Sequence, residues 1–371
     1  MHRSIALAAL LLLSTAGNLT AQTGPFPATV ALTDGDQIFR AACAACHGDD
    51  GRGRAQSVVG FSTPLPDFTV CSFTTPEPDA DWLAIVHEGG PVRAFDRKMP
   101  AFGGALSEEQ ILAAIGYVRS LCHDRRWPRG ELNLPRPLVT EKAFPENEAV
   151  LTTTIGTGES TGVVNQFLYE QRLGARSQFE VAVPLAAQPG ASSGWNGGIG
   201  DISVAAKHVL AHSLARGSIL SVAGEVLFPT GSEQRGLGGG TTVFEPFVAL
   251  GQILPRDGFL HVQTGVEIPA NRDANDEAFW RVAIGKSYME DRFGRAWSPM
   301  IELTAVHEIG AGEGTQWDVV PQLQVTLSRR QHIMINGGVR VPVNDRSARG
   351  LEVIAYFLWD WFDGGLLDGW R

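Results

Sequence analysis

Cys43, Cys46 and His47 stand in the run Cys43-Ala44-Ala45-Cys46-His47. Two thiols one helical turn apart can add to the two vinyl groups of a single haem. The histidine beside them then meets the iron through an imidazole nitrogen. A structural zinc site would need a second ligand pair at matching spacing, and the remaining cysteines, Cys71 and Cys122, stand far apart. A thioredoxin-like redox pair does not require the histidine and sits in a βαβ context. The motif therefore predicts one covalent haem c on Cys43 and Cys46, with His47 as an iron ligand. Met99 is the one methionine between His47 and the end of the helical region, in Lys98-Met99-Pro100 within a Pro- and Gly-rich loop. As the sixth ligand its soft thioether would raise the reduction potential relative to bis-histidine ligation. His87 and His123 are rival ligands, and plain core packing of Met99 is the alternative.

The elements around these residues read as helical. Thr33 and Asp34 open a helix predicted over Gly35 to Ala45, with Phe39, Ala42, Cys43 and Cys46 on one face. The glycine-rich turn Gly48 to Gly53 suits a chain bending closely around a flat macrocycle. A short helix after Asp79 carries His87. A final helix starts at Ser107, with Gln110 completing a capping box and Leu106 and Ile111 placed for a hydrophobic staple.

Taken together, Ala42 to Gly48, Asp50-Gly51-Arg52-Gly53, Met99-Pro100-Ala101-Phe102 and a closing helix with Tyr117 resemble a mono-haem class I cytochrome c over about residues 33 to 122. The resemblance implies an all-α fold whose first and last helices cross near Phe39 and Tyr117, with His47 and Met99 as axial ligands. The spare cysteines depart from that pattern. Cys71 and Cys122 are expected to form a disulfide, stabilising by roughly 3–4 kcal/mol through closure of a loop of about 50 residues.

The address is export. Met1 to Ala21 has a basic start, an apolar run from Ile5 to Leu13 and a small-residue cleavage site, the pattern of a signal peptide. That apolar run is too short to span a bilayer as a helix. Thirty basic against 40 acidic residues give a formal charge of −10, which argues against a nucleic-acid partner.

After a cytochrome domain at 22–126 comes a Pro-rich linker, 127–147, read as an extended tether. From 148 to 371 helical spacing gives way to alternation. Leu260, Val262, Val266 and Ile268 oppose His261, Gln263 and Glu267, and Phe179, Val181 and Val183 oppose Gln178, Glu180 and Ala182. About twelve such segments of roughly ten residues predict an antiparallel outer-membrane β-barrel, a soluble sandwich being the alternative. The fold class is thus α + β in two domains. Phe228, Trp280, Trp297, Trp317, Tyr356, Trp359 and Trp361 are candidates for interfacial girdles. Glu180, Glu267, Arg281, Glu302 and Arg340 fall on the face expected to line a wet lumen.

Gly200 to Lys207 and Val226 to Gly231 resemble the outer-membrane channel family named for the meta-pathway of phenol degradation, diffusely over about residues 146 to 362. The resemblance implies a barrel of that kind without fixing a solute. The terminal aromatic usual in such barrels is displaced, since Phe362 is followed by Asp363 to Arg371.

These features predict an electron carrier, not an enzyme, with periplasmic redox proteins as partners and the outer membrane as anchor. A solute channel with a redox partner domain and a fused cytochrome–porin conduit are the alternatives. Twelve strands enclose a backbone cylinder roughly 24 Å across, and a 90-residue domain is roughly 30 Å wide. The haem domain is therefore expected at the periplasmic mouth, outside the lumen.

Overall fold

The structure is a computed structural model. It describes residues 33–361 except 62–63, 159–160, 191–193, 272–273, 311–313 and 347–348. The expected signal peptide and the chain from Phe362 onward lie outside the described residues.

Asp34 caps the first helix, its carboxylate accepting from the Asp36 N–H. Helix α1 (Gly35–Ala42) ends one residue before the motif, and α2 (Ala44–His47) carries its second cysteine and histidine. The single helix expected over this stretch is thus broken at Cys43, which closes one helix and opens the next. Short helices α3 (Gln56–Val59) and α4 (Cys71–Thr74) lead to α5 (Asp79–Glu88) and α6 (Glu108–Ser120). Helix α6 begins in the predicted capping box, with Ser107 and Gln110 satisfying each other's backbone donors. Helices α1 and α6 cross as expected, the rings of Phe39 and Tyr117 lying 5.2 Å apart. Gly35 permits the crossing, because a Cβ there would stand 2.1 Å from the Ala113 carbonyl oxygen.

Cys71 and Cys122 are disulfide-bonded, tying α4 to the end of α6. Thiol titration of the denatured, unreduced holoprotein should find no free thiol. Two free thiols would remove this cross-link.

Strands β1 (Glu148–Gly156), β2 (Gly162–Leu173), β3 (Ser177–Pro189), β4 (Trp195–Ile199), β5 (Ile202–Ser213), β6 (Ser218–Phe228) and β7 (Val243–Leu254) form the first half of the sheet. Strands β8 (Gly258–Pro269), β9 (Glu277–Lys286), β10 (Tyr288–Met289), β11 (Ala296–Glu308), β12 (Gln316–Thr326), β13 (Ile333–Pro342) and β14 (Glu352–Asp360) complete it. The short strands β4 and β10 only extend hairpins. The other twelve pair antiparallel with their neighbours, and β1 pairs with β14 from Glu148↔Asp360 to Gly156↔Glu352, closing the barrel. Closure abolishes the sheet edges that an open sandwich would leave.

The polarity of the wall decides between barrel types. Leu151, Phe167, Val222, Ile284, Ile301 and Val353 point outward and are exposed, whereas Glu170, Gln178, Gln263, Glu302, Asp318 and Asn336 point inward and are buried. Apolar outside and polar inside is the pattern of a membrane-spanning β-barrel. Phe228, Trp280, Trp297 and Trp317 are exposed on the outer surface, as girdle residues should be. Tyr356 is not one of them. It faces inward, is buried, and donates its hydroxyl to the Arg136 carbonyl.

Residues 127–147 are mostly extended, apart from a 3-10 turn at Gly130–Leu132, but are no free tether. The segment enters the lumen and fills its short-turn end. Leu132 and Phe144 pack with Val209, Ile219, Phe247 and Phe279 of the inner wall, and Leu134 packs with Phe259 and Met300. Polar groups of this segment meet polar wall residues, as buried polar groups must. Arg136 pairs with Glu148 and Glu170 at 2.5 and 2.6 Å. Glu302 accepts from the backbone N–H groups of Leu138, Val139 and Thr140, and from the Thr140 hydroxyl. Lys207 donates to the Lys142 carbonyl and Ser221 to that of Ala143.

Candidate functional site

The helical domain encloses a cavity of about 780 Å³, lined by Cys43, Cys46, His47 and Met99 together with apolar side chains such as Phe39, Leu65, Trp82, Ile85, Val86 and Phe102. Residues more than 50 positions apart in sequence thus converge on one space. Cys43 and Cys46 are not disulfide-bonded, and both are partly buried. Burial, with Cys46 beside it, pushes the Cys43 thiol up to about 11. Burial alone pushes the His47 imidazole down to about 4. His47 is therefore neutral at pH 7 and keeps a nitrogen lone pair for a metal. Its ring stacks on Phe68 with centroids 4.8 Å apart, and its Nδ1 is buried without a hydrogen-bond partner.

The glycine-rich turn carries the chain around the lip of this cavity. Gly53 donates to the His47 carbonyl and Arg54 to that of Cys46. Gly51 has φ +73°, and a Cβ there would stand 2.4 Å from Leu121 Cδ1. Met99 sits in a turn in which its N–H donates to the Asp96 carbonyl and its own carbonyl accepts from Gly90. Phe102 and Gly103 donate to Val86 and His87, fastening the Met99 loop to α5. His87 itself contacts the Glu88 carboxylate at 2.7 Å. Neither His87 nor His123 lines the cavity.

A c-type haem fits this donor set. The cavity is lined mainly by apolar side chains, its two thiols are one turn apart, a neutral imidazole adjoins them, and a thioether lies on the same lining.

The barrel also contributes to the cavity, which sequence reading missed. Arg330 and His332, in the turn between β12 and β13, are part of its lining. The Arg330 guanidinium lies 4.3 Å from the Phe95 ring centroid. His332 reaches Glu77 at 3.2 Å and Asp360 at 2.9 Å. Burial disfavours its charge, but these two carboxylates outweigh burial and raise its pKa well above the usual histidine value. Arg93, itself buried, pairs with Asp81 and donates to the Phe293 carbonyl of the turn before β11. The helical domain is thus docked through buried polar contacts at the short-turn end of the barrel, where β1 begins and β14 ends.

Residues 30–118 match the family model described as cytochrome c oxidase, cbb3-type, subunit III. The helical part of this chain is a cytochrome c domain, and the strands between residues 148 and 360 form a closed twelve-strand barrel. No curated protein matches the chain. Among solved structures, the COG4313 outer membrane channel from Pseudomonas putida F1 is similar at 12% identity and TM-score 0.43, covering 61% of this chain and 100% of that one. The NanC porin is similar at 8% identity and TM-score 0.42, covering 57% of this chain and 99% of that one.

Proposed function

We propose that this protein is an electron carrier: one covalent haem c on Cys43 and Cys46, ligated by His47 and Met99, is held at the periplasmic mouth of an outer-membrane barrel. The observation that carries the reading is the convergence of these four residues on a single apolar cavity. A haem held there would supply a one-electron couple, with His47 and Met99 as the residues that would ligate its iron. The chain's own contribution is to keep His47 neutral, exclude water with Phe68 and Trp82, and hold the Met99 loop against α5. The partners are then periplasmic redox proteins.

The topology supports this orientation. An even strand count puts both barrel ends on one rim, and short turns mark the periplasmic side. The haem domain packs against that rim. One haem there does not cover the ~25 Å apolar band, and the lumen behind it is filled by residues 132–146. Both points favour a periplasmic carrier over a conduit to the cell exterior or an open solute channel. Protease applied to intact cells should leave the haem domain in place, and protease applied after permeabilising the outer membrane should release it. Release from intact cells would put the domain outside and return the extracellular conduit.

A further inference from the structure

A haem carries two carboxylate arms, on the edge away from the two groups that join the cysteines. Buried carboxylates need cationic partners. A cavity that takes the apolar macrocycle must therefore offer basic groups as well. Besides His47, the basic side chains on its lining are Arg93, Lys98, Arg330 and His332. Lys98 is exposed and turns to the Gly60 carbonyl. The other three are buried.

These three come from separate parts of the chain. Arg93 ends the short helical turn Gly90–Arg93, whereas Arg330 and His332 stand in the turn between β12 and β13. That turn is firmly built. The Ser328 hydroxyl accepts from the N–H groups of His332 and Ile333, and the His332 carbonyl accepts from the Asp360 N–H at 2.9 Å. The Gln331 side chain donates to the Gly294 carbonyl at 3.0 Å, tying this turn to the one before β11. The latter turn accepts from Arg93 at the Phe293 carbonyl, 2.7 Å away. Two barrel turns thus fix the basic groups of the cavity.

The acids on the lining are already engaged. Asp81 pairs with Arg93 at 2.8 Å, and Glu77 with His332 at 3.2 Å. Asp360, which is not on the lining, meets the other ring nitrogen of His332 at 2.9 Å. Asp67 and Asp96 accept from Thr69 and Lys98 within their own turns. The Arg330 guanidinium lies 4.3 Å from the ring centroid of Phe95, which also lines the cavity. A guanidinium presents five N–H donors in a planar fork, so it serves several acceptors and matches a carboxylate in two-pronged fashion.

We propose that Arg330 and Arg93 receive the two haem carboxylates, with His332 neutralising Glu77 beside them, so that the barrel completes the haem site. This rests on the haem assignment above and adds a haem-binding residue supplied by the barrel. Docking then tunes the couple, because a guanidinium beside the haem favours its reduced, less positive state.

The test compares the full-length holoprotein in detergent with Arg330→Gln and Arg292→Gln. Arg292 also joins barrel to helices, through Glu108 and His87, but does not line the cavity. The readouts are the haem-carboxylate bending band in the resonance Raman spectrum and the reduction potential. Arg330→Gln should move the band and lower the potential. The reduced-to-oxidised ratio at a fixed poise should fall at least tenfold, or about 59 mV for one electron. Arg292→Gln should leave both readouts at their natural values. An unmoved band in Arg330→Gln, or an equal displacement in Arg292→Gln, overturns the proposal while leaving the haem assignment intact. Absence of covalent haem from the natural protein would instead remove both. If Arg330→Gln does not fold, carbodiimide coupling of glycinamide to the natural holoprotein decides, read as the mass of the haem-bearing peptide. Haem carboxylates left unmodified support the proposal, and modification of either overturns it.

Discussion

Met99→Ala leaves the haem attached but abolishes the sulfur-to-iron absorption band and lowers the reduction potential. On the proposed assignment attachment depends on Cys43 and Cys46 and not on Met99, so haem content should be unchanged. Axial ligands move haem potentials across a range of ~0.8 V, so loss of the thioether should shift the couple by on the order of 0.1 V or more. Cys43→Ala or Cys46→Ala acts on the other step and should impair covalent attachment, read as loss of haem staining on a denaturing gel. An unchanged band in Met99→Ala would remove Met99 from the iron. His87 or His123 would then have to reach a cavity that neither lines in this structure.

Glu302→Ala should free the segment that fills the lumen. The Glu302 carboxylate is fully buried and accepts from three successive backbone N–H groups and the Thr140 hydroxyl at distances down to 2.6 Å. Hydrogen bonds to a charged group contribute about 1.5–3 kcal/mol each, and buried donors left unpaired cost about 1–3 kcal/mol. The variant therefore loses on the order of 5 kcal/mol of local stability. The expected results in planar bilayers and limited proteolysis are a rise in single-channel conductance and new cleavage between Arg136 and Lys142. Conductance and cleavage like those of the natural sequence would show that the apolar contacts of Leu132, Leu134 and Phe144 hold the segment by themselves.

The residues of the proposed haem site are legible in the sequence because the chemistry they suggest is local. The two thiols and the histidine occupy consecutive turns, and Met99 is marked by its proline-flanked loop. Strand positions were legible for a similar reason. Period-2 alternation forces each residue to one face, and the twelve long strands begin within a few residues of the predicted segments. What alternation did not give was which face was wet. Phe179 and Gln178 alternate identically in a sandwich and in a membrane barrel, and only closure of β1 on β14 fixes the apolar side as the outside. The fate of residues 127–147 was hidden by their prolines. Prolines mark an extended chain but are equally suited to solvent and to a lumen that supplies side-chain acceptors such as Glu302. The barrel's share of the haem cavity was hidden by sequence distance. Nothing local to Arg330 or His332 points to Phe95 or Glu77, which lie more than 200 residues away.

If His47 and Met99 both ligate the iron, the protein is a carrier with no open position for substrate. The absorption spectrum of the reduced, full-length holoprotein, before and after exposure to carbon monoxide at neutral pH, decides this. A c-type spectrum that carbon monoxide leaves unchanged on the timescale of mixing is expected. A rapid shift of the main haem band would show an open iron position and contradict it.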